Sequence, residues 1–262
     1  MYFSSRLQHC LTVSKAVEHA TAALGIASTS ADAELNSEHQ LDHYEQLAAA
    51  SGLNGVIFNA PDGGNLKRIA KLAGEQKIWL ANVWATLPWF TPFDASEYYT
   101  YYADPDDCNA SKEITTKLLT EIKAKTGKGG KMIGLTGIPG FITDILRTRG
   151  RDDAIKAFPE FQLVDDLPGN FNMEDSNKAA QDLLTRHPDA LGIYATNDEG
   201  AAGAVAALKI PEMKAGENLL IGSAGDGNPE AAAAIKRGGA RRPGSSSQQH
   251  RQVNLLAIAT PH

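Results

Sequence analysis

Cysteine is nearly absent, with two residues in 262, too few and too far apart for a thiolate metal site. Cys10 and Cys108 could form a bridge only if their Cα atoms came within about 7 Å, which spacing alone does not settle. Two ordinary, partly buried thiols are the expected state. Long apolar runs are also missing, and none approaches the roughly 18–20 residues that a membrane-spanning helix needs. Positive charge is in short supply. Lys and Arg number 25 against 31 Asp and Glu, a net charge of −6, and only the stretch 236–242 is locally basic. That balance argues against a nucleic-acid face.

Several catalytic signatures are absent as well. The chain has no G-x-S-x-G turn to expose a nucleophile, and neither a Walker loop nor a G-x-G-x-x-G fingerprint for phosphates. Seven histidines are scattered along it. His39 and His43 share one helical face, but no third ligand or nearby glutamate completes a zinc pattern. Nothing calls for a cofactor, a metal or a positioned base, so the reading is of a protein that binds rather than catalyses. A secretory leader is not visible either: Met1-Tyr2-Phe3 runs straight into a helical pattern. Taken alone, that start points to the cytoplasm.

What is present is a βα rhythm between Lys131 and Asp226. Lys131-Met132-Ile133-Gly134-Leu135-Thr136 reads as a strand, followed by Gly137-Ile138-Pro139-Gly140 and a helix through Arg147. Leu191–Thr196 reads as another, followed by Asn197-Asp198-Glu199 and an alanine-rich helix. Leu219–Gly222 leads to Asp226-Gly227-Asn228-Pro229-Glu230. Short apolar strands alternating with helices indicate a parallel sheet, and ligands of such sheets sit at the strands' carboxyl ends. Arg147, Asn197 and Asp226 would converge there. Arg147 donates, Asp226 accepts and Asn197 does both, a mixture suited to adjacent hydroxyls. Each also has a plainer role: Arg147 could pair with Asp144 or Asp153 on a helix surface, and Asn197 and Asp226 could cap helices.

The first part of the chain is less regular. Helical spacing covers the region from Phe3 to about Ala23, and again Asn36 to Ser51, with a weak strand at Ala27–Ser30 between them. Gly55–Asn59 and Lys77–Val83 read as strands flanking a helix at Leu66–Gly74. An aromatic stretch follows, holding Trp84, Trp89, Phe90, Phe93, Tyr98, Tyr99, Tyr101 and Tyr102 and broken by Pro88 and Pro92. It reads as a loop that packs on its own lobe, as a wall of flat apolar surfaces around a polar ligand, or as both. Turn chemistry at Ala103–Asp107 places a lobe boundary. The expected organisation is a first lobe over 1–103, a second over 104–237, and an atypical Gly/Arg/Ser tail over 238–262. That tail is expected to be disordered or to return in part to the first lobe.

At these residues the chain resembles the type I periplasmic sugar-binding proteins, relatives of the ribose- and galactose-binding proteins and of LacI-type repressor cores. The likeness runs from Tyr2 to about Arg237. Its most specific pieces are Thr185-Arg186-His187-Pro188-Asp189 leading to Asn197-Asp198-Glu199, and Gly225-Asp226-Gly227-Asn228-Pro229-Glu230. Gly137-x-x-Gly140 with Arg147-Thr148-Arg149-Gly150 is similar to a third family segment, though two residues longer.

The resemblance implies an α/β protein of two doubly wound parallel-sheet lobes that close on a sugar or polyol about a hinge near Ala103–Asp104. It also implies a monomer in the periplasm that delivers its ligand to ABC permease subunits, without nucleic acid. It implies ligand contacts at Tyr2 or Phe3, at Phe171 in stacking, and at Arg147, Asn197 and Asp226. Where sugar-binding relatives often carry Asp-Arg, this chain has Trp84-Ala85, so the hydrogen-bond set of the first lobe differs and Trp84 becomes a candidate contact. Both ends depart from the family pattern, with Met1 falling where a first strand should already have ended. A truncated chain with an incomplete first lobe is therefore expected, and a non-functional fragment is one alternative. A regulator core is another, but it would need a helix-turn-helix segment that this sequence does not hold. A small α/β enzyme is a third, which would need a positioned base or metal set that the sequence does not show.

Overall fold

A computed structural model describes residues 1, 4–50, 52–60, 62–84, 87, 90–103, 105–208, 219–225 and 254–257. Two compact units are present, Met1–Pro105 and Asp106–His262. The division falls within the turn segment that the sequence marks.

The second unit carries its strands in an all-parallel sheet. These are β4 (Lys131–Thr136), β5 (Gln162–Pro168), β6 (Gly192–Ala195), β7 (Leu220–Ser223) and β8 (Asn254–Ala257). Their spatial order is β5-β4-β6-β7-β8. Among the described residues its helices are α4 (Asp107–Thr126), α5 (Ile142–Lys156), α6 (Met173–Arg186) and α7 (Asp198–Ala207). One core joins Ile133, Leu135, Ile193 and Ile221 to Leu183, Leu184, Ala201 and Ala204 of α6 and α7. Another joins Met132 and Leu220 to Leu118, Leu119 and Ile122 of α4. Alternate residues of a strand point to opposite faces, so the sheet is covered on both sides, as parallel sheets require. Gly150 lets α4 and α5 approach closely, because a Cβ there would stand 2.0 Å from the Cys108 carbonyl oxygen.

Side chains of the Asx type open α4, α6 and α7, whereas α5 starts after Phe141 without a side-chain cap. Asp106, Asn172 and Asn197 each accept a backbone N–H from the first turn, at Asn109, Asp175 and Gly200. This satisfies donors that a helix start leaves orphaned. β8 is the edge strand beside β7, so this part of the tail joins the second unit's sheet instead of returning to the first lobe.

The first unit holds α1 (Gln8–Ala23), α2 (Ser37–Ala49), β1 (Gly55–Phe58), α3 (Gly63–Gln76), β2 (Trp79–Val83) and β3 (Tyr99–Ala103). Its parallel sheet has the order β1-β2-β3. β3 lies inside the stretch expected to be an aromatic loop, and Ala27–Ser30 is not a strand. Val56, Phe58, Leu80 and Asn82 are buried on one face of the sheet. On the other, register sets Ile57, Ala81 and Tyr101 in a row, with Ile57, Trp79 and Tyr101 exposed.

Met1 lies along β1. Its amine donates to the Ile57 carbonyl at 2.7 Å and its carbonyl accepts from the Asn59 N–H at 3.3 Å. This is the hydrogen-bond pattern of a parallel pair. Trp79 N–H bonds the Asn54 carbonyl, so by alternation Met1 occupies the edge of β1 away from β2. Cys10 and Cys108 are not joined in a disulfide.

Candidate functional site

In the second unit the chain runs outward from β4 to β5 and then crosses back to β6 on the far side of β4. Loops leaving β4 and β6 therefore turn to opposite faces and leave a crevice at the strands' carboxyl ends, where ligands of open α/β sheets bind. Three sequence-predicted residues, Arg147, Phe171 and Asn197, are tied to the loops at this end.

Phe171 follows β5. Both it and Asn170 have left-handed backbones, with φ of 58° and 51°, a costly conformation for an aromatic residue. Its ring lies over Gly137, the residue after β4: a Cβ on Gly137 would come within 2.1 Å of the ring. Phe141 flanks it, with ring centroids 6.4 Å apart.

Asn197 is both a cap and a clamp. Its Oδ1 accepts the Gly200 N–H at 2.9 Å, while Nδ2 donates to the Phe171 carbonyl at 3.1 Å and to Glu199 Oε2 at 2.8 Å. The loop bearing Phe171 is thereby joined to the start of α7. Helix capping, the plainer reading of this residue, is what the geometry shows.

Arg147 is only 4 % exposed, so the surface ion pair considered for it is replaced by a buried one. Nε donates to Asp107 Oδ1 at 2.7 Å, and Nη1 donates to the Thr196 carbonyl at 2.7 Å. The two acidic residues considered as its partners are engaged elsewhere. Asp144 accepts the Gly137 N–H at 2.6 Å, and Asp153 pairs with Arg149 and Lys156.

Around Arg147 the polar groups interlock. Ser111 Oγ donates to the Arg147 carbonyl at 2.5 Å and contacts the Tyr194 hydroxyl at 2.7 Å. Burial pushes the Tyr194 hydroxyl above its ordinary pKa. Burial also raises the Asp144 carboxyl, against the opposing pull of the Gly137 N–H and the Arg151 charge. Asp198, at the start of α7, accepts from Ser223 Oγ at the end of β7 at 2.8 Å.

In the first unit Trp84 follows β2 with φ of 69°, and its N–H bonds the Ala103 carbonyl at 2.6 Å. Its ring stands 3.9 Å, centroid to centroid, from that of His9. Tyr2, Phe3 and Asp226 lie outside the described residues. The sequence reading missed Asp107 as the partner of Arg147, Asp144 as the acceptor at the β4 loop, and His9. Only the acidic start of the helix at Asp107 left a local signal.

Comparison with known proteins decides the family. A model described as a periplasmic binding protein domain matches residues 5–259. The chain belongs to that family. Among curated relatives of this periplasmic binding protein is the ribose import binding protein of Salmonella typhimurium. It is 35 % identical over 117 residues, 45 % of this chain and 38 % of that protein. The D-allose-binding periplasmic protein of Escherichia coli is 24 % identical over 226 residues, 86 % of this chain and 70 % of that protein. The first-ranked relatives are thus matched over well under half their own length. Among solved structures, the periplasmic binding protein component of the arabinose ABC transporter from Shewanella sp. ANA-3 superposes with a TM-score of 0.78. It is 21 % identical and covers 98 % of this chain and 79 % of that one. The Caulobacter myo-inositol binding protein gives 0.75 at 23 % identity, with 90 % and 76 % covered. At these identities the structural likeness speaks for the periplasmic binding protein fold.

Proposed function

We propose that this chain is the solute-binding receptor of an ABC importer and that its ligand is a sugar or polyol. The observation that carries this reading is the cluster at the carboxyl ends of β4, β5 and β6, an aromatic ring in a strained, fixed pose beside a dense hydrogen-bonding set. Flat C–H faces of a sugar suit the ring of Phe171, and its hydroxyls suit mixed donors and acceptors. We assign Phe171, Asn197 and Arg147 to the ligand site, with Tyr2, Phe3, Trp84 and Asp226 as further contacts. In this reading Arg147 acts through the loop it braces at Thr196 as much as by direct contact. The protein works as a monomer in the periplasm, hands its ligand to the membrane subunits of the importer, and carries out no chemistry on it.

A thermal melt with a panel of pentoses, hexoses, inositols and linear alditols tests the proposal. Ligand at about 100 times its Kd adds roughly 2.7 kcal/mol to stability, a readily visible rise in Tm. A cooperative melt that no member of the panel moves would remove the assignment.

A further inference from the structure

We propose that His9 is a positioning residue for ligand recognition. It holds Trp84 as an aromatic platform that selects cyclic sugars or polyols over linear ones. This rests on the receptor reading above but adds a residue and a ligand class to it.

The argument starts from Trp84. A bulky residue at φ 69° is a backbone outlier, and such residues persist only where their surroundings over-determine them. Trp84 sits at the carboxyl end of β2, the end at which parallel sheets meet their ligands. Its backbone is fixed by the bond from its N–H to the Ala103 carbonyl at 2.6 Å. The residue before it is fixed too, because Asn59 Nδ2 donates to the Val83 carbonyl at 2.9 Å.

The first turn of α1 grips this strand end with two adjacent residues. His9 lays its ring 3.9 Å from the indole at an interplanar angle of 47°. Cys10, its neighbour, places Sγ 3.6 Å from Asn59 Oδ1, the same asparagine that pins Val83. Imidazole and thiol thus converge on Val83–Trp84 from one helical turn, one acting on the ring and one through the backbone.

A ring held at a fixed tilt rewards a ligand that is itself flat and rigid. Cyclic sugars and inositols present a preformed C–H face, whereas a linear alditol must freeze its rotors to match it, at an entropic cost that a fixed platform does not refund.

Binding by the full chain tests this with three variants, His9→Ala, His9→Phe and Trp84→Phe. Affinities come from ligand-induced Tm shifts with hexoses, inositols and linear alditols. His9→Ala is expected to lose about tenfold in affinity for the cyclic ligand, with less change for a linear one, while His9→Phe restores it by keeping a ring contact. Tryptophan emission gives a second readout. His9→Ala should shift it relative to His9→Phe, and that shift should vanish when Trp84→Phe is added. If the unaltered chain binds a cyclic sugar and His9→Ala binds it with the same affinity and the same cyclic-to-linear ratio, the role of His9 is overturned while the receptor reading stands. If no sugar moves the unaltered chain, both fall together.

Discussion

Phe171 in the second unit and Trp84 in the first pose the same physical problem. Each is an aromatic residue just past a parallel strand, with a left-handed backbone that its side chain disfavours. The two are held differently. Phe171 is fixed by polar groups, with Asn197 donating to its carbonyl and Asp175 binding both Asn170 and Asn172 beside it. Trp84 is fixed mainly by a neighbouring ring and by one bond to the adjoining strand. Their settings differ as well. The second unit's sheet is covered on both faces, and its buried arginines, Arg147 and Arg151, are paired with Asp107 and Asp166. The first unit leaves Ile57, Trp79 and Tyr101 exposed on one face, while unpartnered buried polar atoms occur in both units, at Asn82 in the first and at Thr115 in the second. Aromatic presentation is therefore built into a finished framework in one unit and into a barer one in the other.

The largest effect should come from cutting the framework behind Phe171. Arg147→Ala leaves Asp107 without its guanidinium in a site where both side chains are almost wholly buried. Breaking such a pair costs about 3–5 kcal/mol. Urea unfolding should show that loss in the second unit's transition, and the variant should lose sugar binding with it. A double-mutant cycle with Asp107→Ala should recover part of the cost, because the second change removes the stranded charge. A loss below about 1 kcal/mol would mean that Asp107 finds a new partner and the pair is not what braces Thr196.

These supports were not equally visible in the sequence. Caps and strands of the second unit were legible because their causes are local: an Asp or Asn precedes α4, α6 and α7, and apolar runs such as Met132–Leu135 lie between turns. β3 was not, since Tyr99–Ala103 alternates poorly and follows a segment broken by Pro88 and Pro92. Its strand character comes from pairing with β2, a tertiary effect that overrides propensity. The switch-point crevice could be inferred from strand and helix order alone. The partner of Arg147, forty positions away at Asp107, could not, and nearer acids looked more plausible. The meeting of His9 with Trp84 depends in the same way on how α1 lies against β2, which no local pattern encodes.

A second, smaller break separates the ring of Phe171 from its seat. Gly137 matters here for space: its missing Cβ is what admits the ring. Gly137→Ala must push Phe171 aside or shift the β4 loop, and overpacking of this kind costs about 1–3 kcal/mol. Sugar affinity should fall further than that stability cost predicts, because the displaced ring is itself a proposed contact. A variant with a lower Tm but unchanged affinity would show that Phe171 merely fills space. The matching change in the first unit, His9→Ala, should cost less stability, since it removes a ring contact without inserting an atom.

The smallest expected effect has the opposite sign. Asn82 lies on β2 with its side chain fully buried between the neighbours Phe58 and Tyr102 in register, and neither of its amide atoms has a hydrogen-bond partner. A buried amide left in this state forfeits the bonds it had with water, a penalty of about 1–3 kcal/mol. Leucine has the same branched shape and number of side-chain heavy atoms, is bulkier, and carries no polar group to leave unpaired. Asn82→Leu should therefore raise the first unit's stability by about 1 kcal/mol once the cost of the extra volume is allowed for. Hydrogen exchange of the β1 and β2 amides reads this directly, because it reports the opening of that unit apart from the other. Slower exchange confined to the first sheet would identify Asn82 as a local weakness of that sheet. Faster exchange would mean that the amide is satisfied in solution; in either case the contrast between the two frameworks rests on the uncovered face of Ile57, Trp79 and Tyr101.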